Sequence, residues 1–137
     1  MSIKENKALV RRAYKLSTLK DMDAFFEFLA PGYVEHFPTG DISMKQLKQG
    51  IPEFFTAFPD IHITIEDMVA EGDKVAVLMT SRGTHKGEYM GIPPTGNRIE
   101  MRNTCIIRIA NGKLAEWWGT LDGLRMMQQL GVIPSNK

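Results

Sequence analysis

The chain has 137 residues, 43% of them hydrophobic and 24% charged, a balance that predicts one globular domain over residues 1–137. A chain of that length buries roughly 68% of its unfolded surface on folding, enough for a core without disulfides or metals. Its 17 basic and 16 acidic side chains leave a net charge of +1, so no basic excess exists to neutralise phosphates, and neither nucleic acid nor membrane is an expected partner.

Residues 3–19 show helical spacing, with Ile3, Val10, Ala13, Tyr14 and Ser17 on one face and Lys4, Lys7, Arg11 and Lys15 mostly on the other. Before them, residues 1–7 are polar and charged, without the apolar centre of a signal peptide. Asp21 is a candidate cap for a short helix over 22–29 carrying Phe25, Phe28 and Leu29, ended by Ala30-Pro31-Gly32. Residues 33–38 read as an extended bridge. Ser43-Met44-Lys45-Gln46 has the form of a capping box and opens a third helix with Leu47, Ile51, Phe54, Phe55 and Phe58 at helical spacing. Gly50 and Pro52 predict a kink or break within it, and Pro59-Asp60 closes it.

From residue 61 the period changes to two. Ile61, Ile63 and Ile65 alternate with His62, Thr64 and Glu66, and Glu71-Gly72-Asp73-Lys74 predicts a hairpin turn into a strand through Val75, Val77 and Met79. A rigid block, Thr84 to Gly96, follows. Residues 98–110 form the next strand, Asn111-Gly112 is a two-residue hairpin signal, and Leu114 to Leu121 form the last strand. Asp122 opens a short helix with Leu124, Met127 and Leu130, which Gly131 stops. Three helices, four antiparallel strands and a final helix indicate an α+β fold. A long curved antiparallel sheet with helices on one face makes a cone, with a pocket between the layers. No apolar run approaches the ~20 residues that span a bilayer. The single cysteine, Cys105, has no partner for an intrachain disulfide, so the expected compartment is reducing and cytoplasmic.

Phe58-Pro59-Asp60, the run from Gly83-Thr84-His85 through Gly91-Ile92-Pro93-Pro94-Thr95-Gly96, and Trp118 through Asp122 to Gln129-Leu130-Gly131 carry a family resemblance. Over roughly residues 3–131 the chain resembles the SnoaL-like polyketide cyclases of the nuclear transport factor 2-like superfamily. The resemblance implies a cone-shaped, cystatin-like roll of curved antiparallel sheet around N-terminal helices, a deep apolar cavity, and a homodimer through the outer sheet face. It also implies intramolecular aldol cyclisation of an aromatic polyketide without metal or cofactor. An aspartate after the last strand is the general acid/base in that family, and Asp122 matches it. Many relatives carry His-Trp-Asp before that aspartate, where this chain has Trp117-Trp118-Gly119.

The residues themselves leave two readings at each candidate position. Asp122 is flanked by Trp117, Trp118, Leu121 and Leu124, an apolar setting in which a carboxylate could both take and return a proton; it is also a natural N-cap. His85 either orients Asp122 or binds a substrate carbonyl oxygen, or else ends its strand bonded to backbone. His36 either covers the pocket mouth or packs within its extended segment. The apolar lining candidates are Tyr14, Phe26, Phe54, Phe58, Met79, Met101 and Trp118, with Tyr33 beside them on the bridge; each is equally ordinary core. The three histidines show no ligand-like spacing, so no metal is expected. Arg82, Arg102 and Arg108 alternate with apolar positions, as on a solvated or interface face. Two functions of different class follow. One is cofactor-independent acid/base catalysis on a hydrophobic carbonyl compound; the other is non-catalytic binding of a small lipophilic ligand. An epoxide hydrolase needs a carboxylate pair bridged by arginine, and no such triad falls on one face of the predicted pocket.

Overall fold

The computed structural model describes residues 2–134. Four helices, α1 (Ile3–Thr18), α2 (Met22–Glu27), α3 (Met44–Ala57) and α4 (Gly123–Leu130), pack with six strands. These are β1 (Leu29–Phe37), β2 (Gly40–Ser43), β3 (His62–Glu71), β4 (Lys74–Thr84), β5 (Arg98–Ala110) and β6 (Lys113–Gly119). All six form one curved, open sheet in the order β2-β1-β6-β5-β4-β3. The α+β class is as expected from sequence, but the sheet is mixed rather than antiparallel. The segment read as an extended bridge is a strand, and β1 runs parallel to β6, with Val34, Glu35 and His36 opposite Glu116, Trp117 and Trp118.

The hairpins β3–β4 and β5–β6 turn at Gly72 and at Asn111-Gly112, all at positive φ, the conformation that lets a short loop match strand twist. Register shifts between Ile65 and Asp67 and between Arg108 and Ile109 interrupt the ladders. Such bulges bend a strand and increase its twist, which curves the sheet around the helices.

Ser2 and Glu5 form a capping box at α1, and Ser43 and Gln46 form the expected one at α3. The buried stripe of α1 is Asn6, Leu9, Val10 and Ala13; Ile3, expected on that stripe, is 44% exposed. Leu29 leaves the second helix and begins β1 instead. Helix α3 runs through Gly50 and Pro52 without a break. Leu47 and Phe54, on either side of the proline, pack against the buried core, and Thr56 Oγ1 donates to the Pro52 carbonyl at 2.9 Å. In α4 the buried residues are Met126 and Leu130, while Leu124 points to solvent.

Two apolar clusters result. The larger joins α1 to β1 and β3–β6 through Val10, Ala13, Tyr33, Met68, Val77, Ile107 and Trp117. The smaller gathers Phe58, Ile61, Ile99, Met101, Met126 and Leu130 at the other end of the sheet. The site lies between them. No helix among the described residues is long and apolar enough to cross a membrane.

Candidate functional site

A cavity of about 240 Å³ opens between the concave face of the sheet and the helices. Period-two alternation decides which strand residues reach it. On β1, Tyr33, Glu35 and Phe37 line the cavity while Val34 and His36 do not. On β5 the inward set is Ile99, Met101 and Asn103; on β4 it is Met79 and Ser81. Helix α1 contributes Tyr14 and Ser17, α3 contributes Phe54, and Asp122 stands where β6 runs into α4.

Of the residues singled out from sequence, Tyr14, Tyr33, Phe54, Met79, Met101 and Asp122 line this cavity; the other five lie outside it. Phe58 is fully buried as filler, stacked on His85 at 5.4 Å and edge-on to Tyr89 at 5.3 Å. Phe26 packs edge-on against Phe25, with the Lys48 ammonium over its ring. Trp118 takes the opposite side of β6 from Trp117, because neighbouring strand residues face opposite ways, and stacks on His36 at 5.2 Å. His36 lies on that outer face, its two ring nitrogens each 2.8 Å from a carboxylate, Asp41 on β2 and Glu116 on β6. Its pKa is raised by those bonds, that to Asp41 first. Arg108 holds the second Glu116 oxygen at 2.7 Å.

His85 is fully buried and structural in its bonding. Its Nδ1 accepts from the Thr95 N–H at 3.2 Å and meets Thr95 Oγ1 at 3.0 Å. Its backbone pairs with Asn97 and Gly96. The Thr84–Gly96 block is thereby pinned to itself, and also to the end of α3. Asp60 accepts from both the N–H and the hydroxyl of Thr84 at 2.7 Å, bonds that hold its carboxyl below the usual range. Lys86 N–H donates to the Ala57 carbonyl. Gly87 passes so close that a Cβ would lie 2.5 Å from the Thr56 carbonyl oxygen. Met90 and Gly91, both at positive φ, turn the chain between Tyr89 and Ile92, and Tyr89 is thereby delivered to the cavity wall.

Asp122 is the N-cap of α4, its Oδ1 accepting from the Arg125 N–H at 3.0 Å, and it is exposed at the edge of the cavity. Its two readings are therefore compatible: the cap uses one oxygen, and the residue still lines the cavity.

The carboxylate that sequence reasoning passed over is Glu35. Tyr33 Oη donates to its Oε2 at 2.7 Å, and burial pushes its pKa up against that bond. The signal was present: with aromatic Tyr33 and Phe37 two residues either side, period two sends Glu35 inward and His36 outward once the segment is read as a strand. Behind it lies a second polar group. Trp117 Nε1 donates to Tyr14 Oη at 3.3 Å, and that hydroxyl lies 3.4 Å from Cys105 Sγ. Burial raises the Tyr14 pKa and pushes the Cys105 thiol up to about 11. Trp117 reaches Tyr14 because residue 119 is glycine; a Cβ there would stand 2.4 Å from the indole. Among the described residues, no three His, Cys, Asp or Glu side chains gather as a metal site.

A curved sheet with helices on one face and a cavity between them is a nuclear transport factor 2-like α+β fold. Residues 7–130 match the SnoaL-like polyketide cyclases, and the chain belongs to that family. It is 30% identical over 130 residues to the aklanonic acid methyl ester cyclase DnrD of Streptomyces peucetius, covering 90% of this chain and 88% of that protein. Among solved structures it resembles AclR of Streptomyces galilaeus, described as a candidate hydroxylase, with TM-score 0.92 and 27% identity over 99% of this chain and 87% of the other. It also resembles IdmH of Streptomyces antibioticus, described as a candidate polyketide cyclase, with TM-score 0.82 and 29% identity over 92% of this chain and 98% of the other.

Proposed function

We propose that the protein is a cofactor-independent acid/base catalyst acting on a hydrophobic, carbonyl-bearing small molecule, by intramolecular aldol cyclisation of a polyketide-type substrate. The observation that supports it is a cavity walled mostly by aromatic and aliphatic side chains into which two carboxyl groups, Asp122 and Glu35, are set. An apolar pocket with few convergent polar groups suits a ligand of that kind. Asp122 is the proposed base. It takes the proton from a carbon flanked by carbonyls; the electron pair left on carbon attacks a ketone carbon within the same molecule. The new C–C bond closes the ring, the C=O π pair moves to oxygen, and that alkoxide takes up a proton. Substrate and product are isomers, so the step as written consumes no co-reactant. His85 and His36 have no part in this proposal, because neither lines the cavity.

The test is turnover of aklanonic acid methyl ester, the compound in the name of the Streptomyces peucetius relative. Asp122→Asn keeps an acceptor for the α4 cap and removes the base, so kcat is expected to fall by about 10²–10⁴-fold, the usual size of one general acid–base contribution, with the fold intact. Unchanged turnover removes Asp122 from the mechanism.

A second reading, a non-catalytic small-molecule binder, is favoured by one observation: Asp122 spends an oxygen on capping, and its hydrogen bonds include none to another cavity side chain among the described residues. Saturable ligand binding with no turnover by the wild-type protein decides for it. We also propose a homodimer through the outer sheet face, supported by the exposed Val69 and Ile106 there; a 15.5 kDa species in sedimentation at micromolar concentration contradicts it. The buried, unpaired Cys105 suits a reducing cytoplasm.

A further inference from the structure

Glu35 occupies a place no surface carboxylate shares. It lines the cavity described above and also an adjoining compartment of about 290 Å³ that runs under α3 between α1 and the edge of the sheet. Phe37, Leu47, Ile51 and Phe54 wall both spaces, so the carboxyl group stands at their junction. No lysine, arginine or histidine lines either one. The titratable groups around it are Tyr33 on its own strand, Tyr14 from α1, Cys105 from β5 beyond Tyr14, Tyr89 from the pinned loop and Asp122 before α4. Helices α2 and α3 and strand β3 present only uncharged groups to these spaces. Tyr33 supplies the carboxyl with its one hydrogen bond among the described residues, to Oε2. Among the described residues, Oε1 has no hydrogen-bond partner.

A carboxylate without a cation in apolar surroundings is costly, and the group lowers that cost by keeping its proton. With Oε2 already accepting from Tyr33, the free oxygen can carry the proton and present it to the cavity.

We propose that Glu35 is the ligand-contacting proton donor of this cavity, a carboxylic acid whose free oxygen binds a carbonyl or alkoxide oxygen of a hydrophobic ligand. The inference rests on the reading that this cavity is the ligand site. It divides the chemistry between two carboxyl groups in unlike surroundings, the arrangement by which a site holds an acid and a base together. Asp122 removes the carbon-bound proton; Glu35 passes its own to the alkoxide oxygen formed on ring closure. The proton gained by Asp122 then returns to Glu35 through solvent, leaving no net change.

The decisive probe is 2-acetylnaphthalene, an aromatic ketone that accepts hydrogen bonds and cannot donate them, titrated calorimetrically from mildly acidic to mildly alkaline pH. In the wild-type protein affinity is expected to fall about five- to tenfold as pH rises through the raised Glu35 pKa, the value of one hydrogen bond. Glu35→Gln still donates but does not titrate, so its affinity should be independent of pH; Glu35→Leu should bind weakly at every pH. Turnover by Glu35→Gln should drop about 10²–10⁴-fold, since an amide cannot transfer the proton. An identical pH profile in wild type and Glu35→Gln overturns the proposal, as does failure of the wild type to bind the ketone saturably. These outcomes are separable from the acid/base reading. If Asp122→Asn abolishes turnover while Glu35→Gln changes neither profile nor rate, Glu35 alone is excluded. If binding follows Glu35 while Asp122→Asn turns over normally, the base assignment alone fails.

Discussion

Gly119 shows how one missing side chain shapes a site. This chain has Trp117-Trp118-Gly119 at the end of β6, and the indole of Trp117 lies across the glycine while its Nε1 bonds Tyr14. An alanine there must push the ring aside, since its Cβ would approach to 2.4 Å. Gly119→Ala is expected to cost about 1–3 kcal/mol, the range for forced overpacking, seen as a lower denaturation midpoint, and to release the Tyr14 hydroxyl from its indole donor. A midpoint equal to wild type would show that Trp117 relocates freely. Nothing local in the sequence announced this contact. Trp117 and Trp118 look alike as letters, and only the pairing of β6 with β1 and β5 decides which ring faces the cavity.

At the scale of elements, β1 and β2 are tied to the sheet on the outer face by His36. The imidazole bridges Asp41 of β2 and Glu116 of β6, with Trp118 stacked beside it. Only the protonated ring donates from both nitrogens, so these bonds raise its pKa. A folded-state pKa above the unfolded one means the stabilisation is complete below the ordinary histidine range and is lost as pH rises through the raised value. Thermal midpoints measured across that window should therefore decline in the wild type and decline less in His36→Gln; parallel curves would deny the bridge a role. Helices and hairpins were legible because their signals are local: the Ser43–Gln46 box, Asn111-Gly112, the isoleucine alternation of β3. Strand β1 was not, since Pro31 and Gly32 interrupt it near its start and β6, the strand that joins it to the rest of the sheet, lies about eighty residues further along the chain. The same gap in the reading hid Glu35 and promoted His36, for inward and outward positions cannot be told apart on a segment not recognised as a strand.

Across the whole molecule, the Thr84–Gly96 block serves mostly as a fastening. It ties β4 and β5 to the end of α3 through Asp60, Thr84, Lys86 and Gly87, and sends one side chain, Tyr89, to the cavity. The place of Asp122 at the start of α4 was legible because it carries the local signal of a helix cap. The cavity's inner wall was not, because it is assembled from every layer: α1, α3, and strands from both ends of the chain.

The parallel pairing of β1 with β6 makes the site indivisible. Tyr33, Glu35 and Phe37 come from the first third of the chain, and the strand that seats them is nearly the last to appear in the sequence. A fragment ending before residue 113 keeps the hairpin β3–β4 with β5 beside it, but loses the strand that joins the β1–β2 pair to them. No contiguous segment can be lifted out with the cavity intact, and a graft of this chemistry onto another scaffold must carry both edges of the sheet.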